Sequence, residues 1–188
     1  MPIGVIFTHV ALVSVWHLTS DSWETQWIFR YGNTQRSHYH SQAHECMAVL
    51  SGTATIRFGV ADTSDDMKDN TYGSAKEDGG VEVQAKAGDV FIIPAGVSHK
   101  TYDTLPAAEF ALLTPGGGHG MPVPDPGATL EKIQLDGFTM IGAYPKGSAW
   151  DFMEGGENSG KYDEVWAVPR PERDPVMGDK GGLNDVWK

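Results

Sequence analysis

The chain has 188 residues, a formal net charge of −11 and 40% apolar residues. That is enough for one domain with a proper hydrophobic core and too apolar for a disordered chain. The acidic balance argues against a nucleic-acid or anionic-membrane surface, because phosphates need clustered Lys and Arg. A single cysteine, Cys46, excludes an intrachain disulfide and fits a reducing compartment, so a cytoplasmic location is expected.

Residues 1–23 begin "MPIGVIFTHVALVSVWHLTS", apolar but without a positive leader segment, and too short and interrupted to span a bilayer. They are expected as strand material. From residue 24 to 115 strand-like runs recur between turn residues: "TQWIFRYG", "ECMAVLSG", "TATIRFGV", "VEVQA", "DVFIIPAG", "HKTYDT" and "EFALLT". Many short strands at this spacing predict an all-β sandwich or barrel.

Within "RSHYHSQAHECMAVLSG", side chains alternate across an extended chain, so His38 and His40 share a face and Arg36 joins them. Tyr39 points the other way. Glu45 lies five residues past His40, the wrong parity for one continuous strand, so the chain turns through Ser41–His44. A new strand then carries Glu45, Met47 and Val49 on one face. A carboxylate there, beside apolar neighbours, is costly to bury unless it is paired or meets a cation. Cys46, of opposite parity, is core filler, and His44 belongs to the turn rather than to a ligand set. Arg36 is a rim residue that suits a substrate carboxylate, while Met47 and Val49 are core residues that can line a pocket.

Residues 61–80, "ADTSDDMKDNTYGSAKEDGG", read as a solvated, mobile loop between two strands; the spacing of a calcium loop is absent. "GDVFIIPAGVSHKTYD" then gives a turn at Gly88-Asp89, a buried strand holding Phe91 and Ile93, a second turn at Pro94-Ala95-Gly96, and His99 opening the next strand. A sheet that brings this segment beside the first yields three imidazoles and a carboxylate. That donor set suits Fe(II), Mn(II), Ni(II), Co(II), Cu(II) or Zn(II) with open positions.

In "PGGGHGMPVPDPG", Pro122, Pro124 and Pro126 forbid the helix that a phosphate-binding glycine loop must open. His119 is expected as a loop residue, with a lid over the barrel mouth as the lesser alternative. Residues 116–188 further predict a strand or hairpin, "FTMIGAYPKGSAWDF", turning at Pro145-Lys146-Gly147. A Pro/Gly-rich extended arm follows, anchored by Trp166 and Trp187.

The spacing Gly32, His38, His40, Glu45, Gly52, followed by Gly88, Pro94, Gly96, His99, resembles the two motifs of the cupin superfamily at every interval. The last position of the second motif departs, with Asp103 for Asn. The stretches "HYHSQAHE", "GDVFIIPAGVSH" and "GAYPKGSAWD" look more narrowly like the YjlB-type single-domain cupins, over roughly residues 24 to 188 outside the acidic insert. This resemblance implies a double-stranded β-helix, a jelly-roll barrel, with metal ligands at His38, His40, Glu45 and His99. The resemblance gives a site more firmly than an activity. The donor set itself, with open positions for substrate and O₂, leads to the expectation of a metal-dependent enzyme acting on a small organic molecule in the barrel, with Fe(II) and a dioxygenase-like oxidoreductase leading. A metal-dependent isomerase or decarboxylase and a non-catalytic binding module are the alternatives. A homodimer is expected as in many cupins; no nucleic-acid or membrane partner is expected.

Overall fold

β-branched and aromatic runs closed by Gly, Pro or Asp fold as strands throughout the described part of the molecule, residues 5–9 and 22–187 of the computed structural model. Of the N-terminal segment, the pairing of its first strand is therefore described, while residues 10–21 lie outside the described residues. Six strands form one antiparallel sheet: β1 (Ile6–His9), β2 (Trp23–Tyr31), β3 (Glu45–Ser51), β6 (Asp89–Ile93), β8 (Ala111–Leu112) and β9 (Phe138–Pro145), in the order β1-β6-β3-β9-β2-β8. A smaller antiparallel sheet holds β4 (Thr53–Phe58), β5 (Val81–Lys86) and β7 (His99–Leu105) in the order β5-β4-β7. The two sheets face each other as the all-β double-sheet jelly roll implied above.

The strand period of two explains what each face does. From the large sheet, Met47, Val49, Phe91, Ile93, Phe138 and Met140 point inward and pack on Ala54, Ile56, Phe58 and Ala85 of the small one. Their neighbours Cys46, Ala48, Leu50, Val90, Ile92, Ile141 and Ala143 point outward and are also buried. They lie beneath a cover that includes Leu130, Leu183 and Trp187. Both faces of β3 and β6 are dry, which is why these strands read as continuous apolar runs rather than alternating ones. Trp187 anchors the C-terminal arm as expected, at 1% exposure, but Trp166 is 65% exposed and anchors nothing. In the short helix α3 (Tyr162–Trp166) it is Val165 that turns inward, and Trp166 stacks on Tyr162 at the surface.

Three other expectations need correction. The acidic insert is not a plain solvated loop: it contains a helix, α1 (Met67–Tyr72), capped by Asp66, with Asn70 and Thr71 buried. Arg57 and Lys100, on the outer faces of β4 and β7, need acceptors, and the insert supplies them. Arg57 donates to the Asn70 and Thr71 carbonyls at 3.0 and 2.7 Å, and Lys100 donates to Asp62 at 3.1 Å and to the Asn70 side chain at 2.6 Å. Pro126 does not prevent a helix; it occupies the first position of α2 (Pro126–Leu130), where a missing N–H costs nothing. Finally, of the expected strand or hairpin the strand is present as β9, but the turn after Pro145 leads to no return strand. Residues 148–154 instead cross towards the histidine segment, where Met153 pairs with Tyr39.

Asp103 sits at φ 53°, a left-handed conformation that Asn and Asp tolerate better than other side chains. Its departure from the cupin motif is therefore conservative in backbone terms.

Candidate metal centre

His38 and His40 lie in an extended segment just before β3. Reciprocal backbone bonds tie His38 to His99, N–H to carbonyl at 3.1 and 2.8 Å, and so join the two sequence motifs directly. The Gly96 N–H donates to the His40 carbonyl at 2.9 Å, fixing the second turn against the first segment. The parity argument holds, since Tyr39 faces away and bonds Asn158.

Each imidazole is oriented by a backbone carbonyl. The Nδ1 of His38 meets the Arg36 carbonyl at 3.2 Å, that of His99 meets Val97 at 3.2 Å, and that of His40 meets Asp151. With Nδ1–H donating in each case, all three Nε2 lone pairs are left for the interior. The three rings offer nitrogen atoms lying within 4.8 Å of one another.

Glu45 opens β3 and completes the group, its Oε2 lying 3.4 Å from Nε2 of both His40 and His99. Its other oxygen, Oε1, accepts from the Tyr144 hydroxyl, which in turn accepts from Trp27 Nε1 at 3.1 Å. His40 Nε2 and Glu45 Oε2 are buried with no hydrogen-bond partner. Buried polar atoms are seldom left so, and two of them converging among imidazoles form a donor set that could hold a cation. These residues fit a divalent metal.

Electrostatics agree with that fit. Burial, then the neighbouring His99 and His40, pushes His38 well below the ordinary imidazole value, and burial likewise lowers His99. Burial alone would lower His40, but Glu45 outweighs it and raises that ring. Burial would also raise Glu45, yet His40, followed by His99 and the Tyr144 hydroxyl, holds its carboxyl down at about 2. The centre thus presents a carboxylate and two imidazoles, His38 and His99, that resist protonation, while the charge of Glu45 makes His40 the more basic ring.

Asp151 was not visible in the sequence as a site residue, yet it organises the turn. Its carboxylate accepts from the Ser41 N–H at 2.6 Å and from the Ser41 hydroxyl, while its carbonyl holds His40. Phe152 stacks flat on His38, with ring centroids 4.0 Å apart. Trp150, Asp151 and Phe152 thus arrive together as one strap across the site.

Beside the centre lies a cavity of about 120 Å³ walled by Trp27, Phe29, Tyr31, Phe110, Tyr144, Trp150 and Phe152, with Gln35 and Met47. Met47 therefore lines it, but Val49, two residues further along β3, is buried between the sheets and does not. Arg36 is not on the wall either: its guanidinium turns outward to Asp65 at 2.7 Å and Glu154 at 3.1 Å. His44 stays out of the ligand set, accepting from the Ala95 N–H at 3.0 Å and packing on Trp187. His119 is exposed and stacks on Trp150 with centroids 4.3 Å apart.

The alternation Trp27, Phe29, Tyr31 in "TQWIFRYG" places these rings on one face, but the same pattern marks ordinary core. Nothing in the spacing of residues 144–152 ties them to residues 38–45; only the fold does.

Residues 32–125, half of the chain, match the family model described as Cupin. The chain is 25% identical over 175 residues to the uncharacterized protein YjlB of Bacillus subtilis (strain 168), covering 90% of this chain and 74% of that protein. Among solved structures, the Lactobacillus farciminis oxalate decarboxylase formate complex matches with TM-score 0.37 and 12% identity, over 77% of this chain and 35% of that one. Vicilin from Corylus avellana (hazelnut) matches with TM-score 0.34 and 12% identity, over 65% and 26%. The chain thus spans about a third or less of the length of these two solved proteins. Among the described residues, no helix is long and apolar enough to cross a membrane.

Proposed function

The chain belongs to the cupin family, and on that premise we propose that it is a metal-dependent enzyme acting on a small organic molecule held beside the histidine cluster. One observation carries the reading. Three carbonyl-oriented imidazoles and Glu45 converge, and the buried His40 Nε2 and Glu45 Oε2 face each other at 3.4 Å with neither atom in a well-formed hydrogen bond. His38, His40, Glu45 and His99 are the ligands of this proposal. Three nitrogens and one carboxylate oxygen leave open positions on a divalent transition metal, with Fe(II) favoured over Mn, Ni, Co, Cu or Zn. Bound there, the metal supplies redox or Lewis-acid chemistry, and an O₂-dependent oxidation is the leading reaction type.

The chain's own groups define the rest. The aromatic wall excludes bulk water from one side of the centre, and Phe152 shields His38. The Tyr144 hydroxyl donates to Glu45 Oε1 and so leaves Oε2 as the free oxygen of the carboxylate. Burial first, then the charge of Glu45, raises the Tyr144 pKa well above the ordinary phenol value, so this hydroxyl stays a donor.

Elemental analysis of the wild type beside His40→Ala and His99→Ala tests the centre. About one transition metal per wild-type chain and little in either variant is expected; equal, negligible metal in all three overturns it. Oxygen uptake across phenols, diketones and thiols then tests the reaction. A metal-loaded protein that turns over none of them would be a binding module.

A further inference from the structure

The cavity beside the centre has a distinctive charge balance. Among its lining residues there is no Lys or Arg, and the one carboxylate is Glu45. Arg36, the one cation expected near the mouth, is taken by Asp65 and Glu154 on the outer surface. Among the chain's own groups a free carboxylate ligand would therefore face Glu45 with no guanidinium or ammonium to receive it. Only a metal held by the histidines could receive it, so the selectivity that follows is that of the metal-free chain. Seven of the lining side chains are aromatic. Trp27 and Phe29 lie 4.8 Å apart, Phe29 stacks on Phe110 at 5.2 Å, and Tyr31 meets Phe29, Phe110 and Phe138 edge-on. Such walls receive a flat ring by stacking and edge contacts. A volume of about 120 Å³ is of the order of the roughly 150 Å³ apolar cavity that takes one benzene molecule.

One polar group in this wall lacks an occupation. Tyr31 is 6% exposed and lines the cavity, yet among the described residues its hydroxyl makes no hydrogen bond. That hydroxyl is not one of the fully buried unpartnered atoms; it opens onto the cavity, where a ligand or water can complete it. Tyr144, the other phenol of the wall, is already committed to Glu45 and Trp27. Gln35 adds a half-buried carboxamide to the same lining.

We infer that the site takes a small uncharged single-ring molecule bearing a hydroxyl or carbonyl, a phenol-type ligand, and that Tyr31 is the specificity-determining residue that hydrogen-bonds it. This rests on the reading of the cavity as the working site, but not on the presence of the metal. The ring lies among Phe29, Phe110 and Trp150, and the Tyr31 hydroxyl binds its polar atom. Phe110 and Phe152 are 59% and 48% exposed, which places them at the open rim where a ring substituent would emerge.

The test is calorimetric titration of the chelator-treated, folded protein with phenol, benzoate and oxalate near neutral pH, where phenol is uncharged and the acids are anions. Phenol should bind at least tenfold more tightly than either anion. Tyr31→Phe, which keeps the ring packing, should weaken phenol about tenfold, or roughly 1.4 kcal/mol, and leave benzene unchanged. Benzoate or oxalate binding as tightly as phenol overturns the inference, as does a Tyr31→Phe protein that binds phenol normally. Metal content measured on the untreated samples separates the two claims. Phenol binding in a protein that holds no metal leaves the ligand class standing without the metal centre; metal without phenol selectivity does the reverse.

Discussion

Two clusters of ionisable groups are buried in this small jelly roll, and they differ in one respect. On the outer face of the small sheet, Arg57 and Lys100 are met by the insert: carbonyls of Asn70 and Thr71, the carboxylates of Glu82 and Asp62, and the Asn70 side chain. On the inner face, three imidazoles and Glu45 converge with two atoms left over. Both clusters sit on neighbouring strands of one barrel; indeed Lys100 follows His99 in β7 and points to the opposite side. A saturated cluster fastens structure, whereas an unsaturated one awaits a ligand. Burial and charge alone would not tell them apart.

The sharpest break in this comparison is expected from Asp62→Ala. Removing one partner of a buried pair leaves the Lys100 ammonium with only Asn70, which should lower unfolding stability by about 3–5 kcal/mol. Metal content per folded chain should fall far less than in His40→Ala, although Asp62 also accepts from the Ser37 N–H beside His38 at 2.9 Å; urea titration and elemental analysis read the two together. Glu45→Gln should act mainly on the metal. Metal affinity should fall, while losing a carboxyl that His40, His99 and Tyr144 hold down in the folded chain should lower metal-free stability at neutral pH by less than Asp62→Ala does. A metal-free loss as large as that of Asp62→Ala would mean that the inner cluster is structural as well.

A smaller effect is expected one shell further out. Tyr144→Phe strips the donor from Glu45 Oε1 and the acceptor from Trp27. Metal affinity should fall roughly 10- to 100-fold, as for other groups that orient a ligand, with the fold retained by circular dichroism. Gly142→Ala should act through the same chain, because a Cβ there would sit 2.1 Å from the Trp27 ring. Displacing that indole should lower stability by about 1–3 kcal/mol and change the Trp fluorescence.

The smallest effect concerns pH and the structural cluster. The Tyr102 hydroxyl, then Arg57, holds the Glu82 carboxyl below its ordinary value, against a small opposing effect of burial. A carboxyl lowered in the folded state contributes stability that is complete above the unfolded value. That contribution is lost as pH falls through the folded one. Unfolding midpoints of the wild type should therefore decline more than those of Glu82→Gln as pH drops below the usual carboxylate range. The half-exposed position of Glu82 keeps the difference small.

Much of the inner cluster was legible because the strand period and motif spacing constrain it. Parity and turn residues grouped His38, His40 and Glu45, whereas the place of His99 beside them was implied by the resemblance to the cupin motifs and is supplied by its pairing with His38. The outer cluster was not legible. Arg57 and Lys100 look like ordinary outward residues of alternating strands, and the acidic insert looks like solvent-facing loop until its helix carbonyls are found beneath. Arg36 misled for a related reason: its parity was right, but Asp65 and Glu154, far away in sequence, decide where a flexible guanidinium points. The aromatic walls failed to stand out because rings that line a cavity and rings that fill a core share one pattern.

The strap and the last strand also set a timetable. Tyr144 and Asp151 meet Glu45 and His40 across sequence separations of 99 and 111 residues. A chain emerging from the ribosome presents its histidine motif first, but the groups that aim it follow about a hundred residues later. The native geometry of the cluster therefore forms well after its histidines are made, and a chain truncated before residue 151 would carry all four proposed ligands yet lack the carbonyl that aims His40.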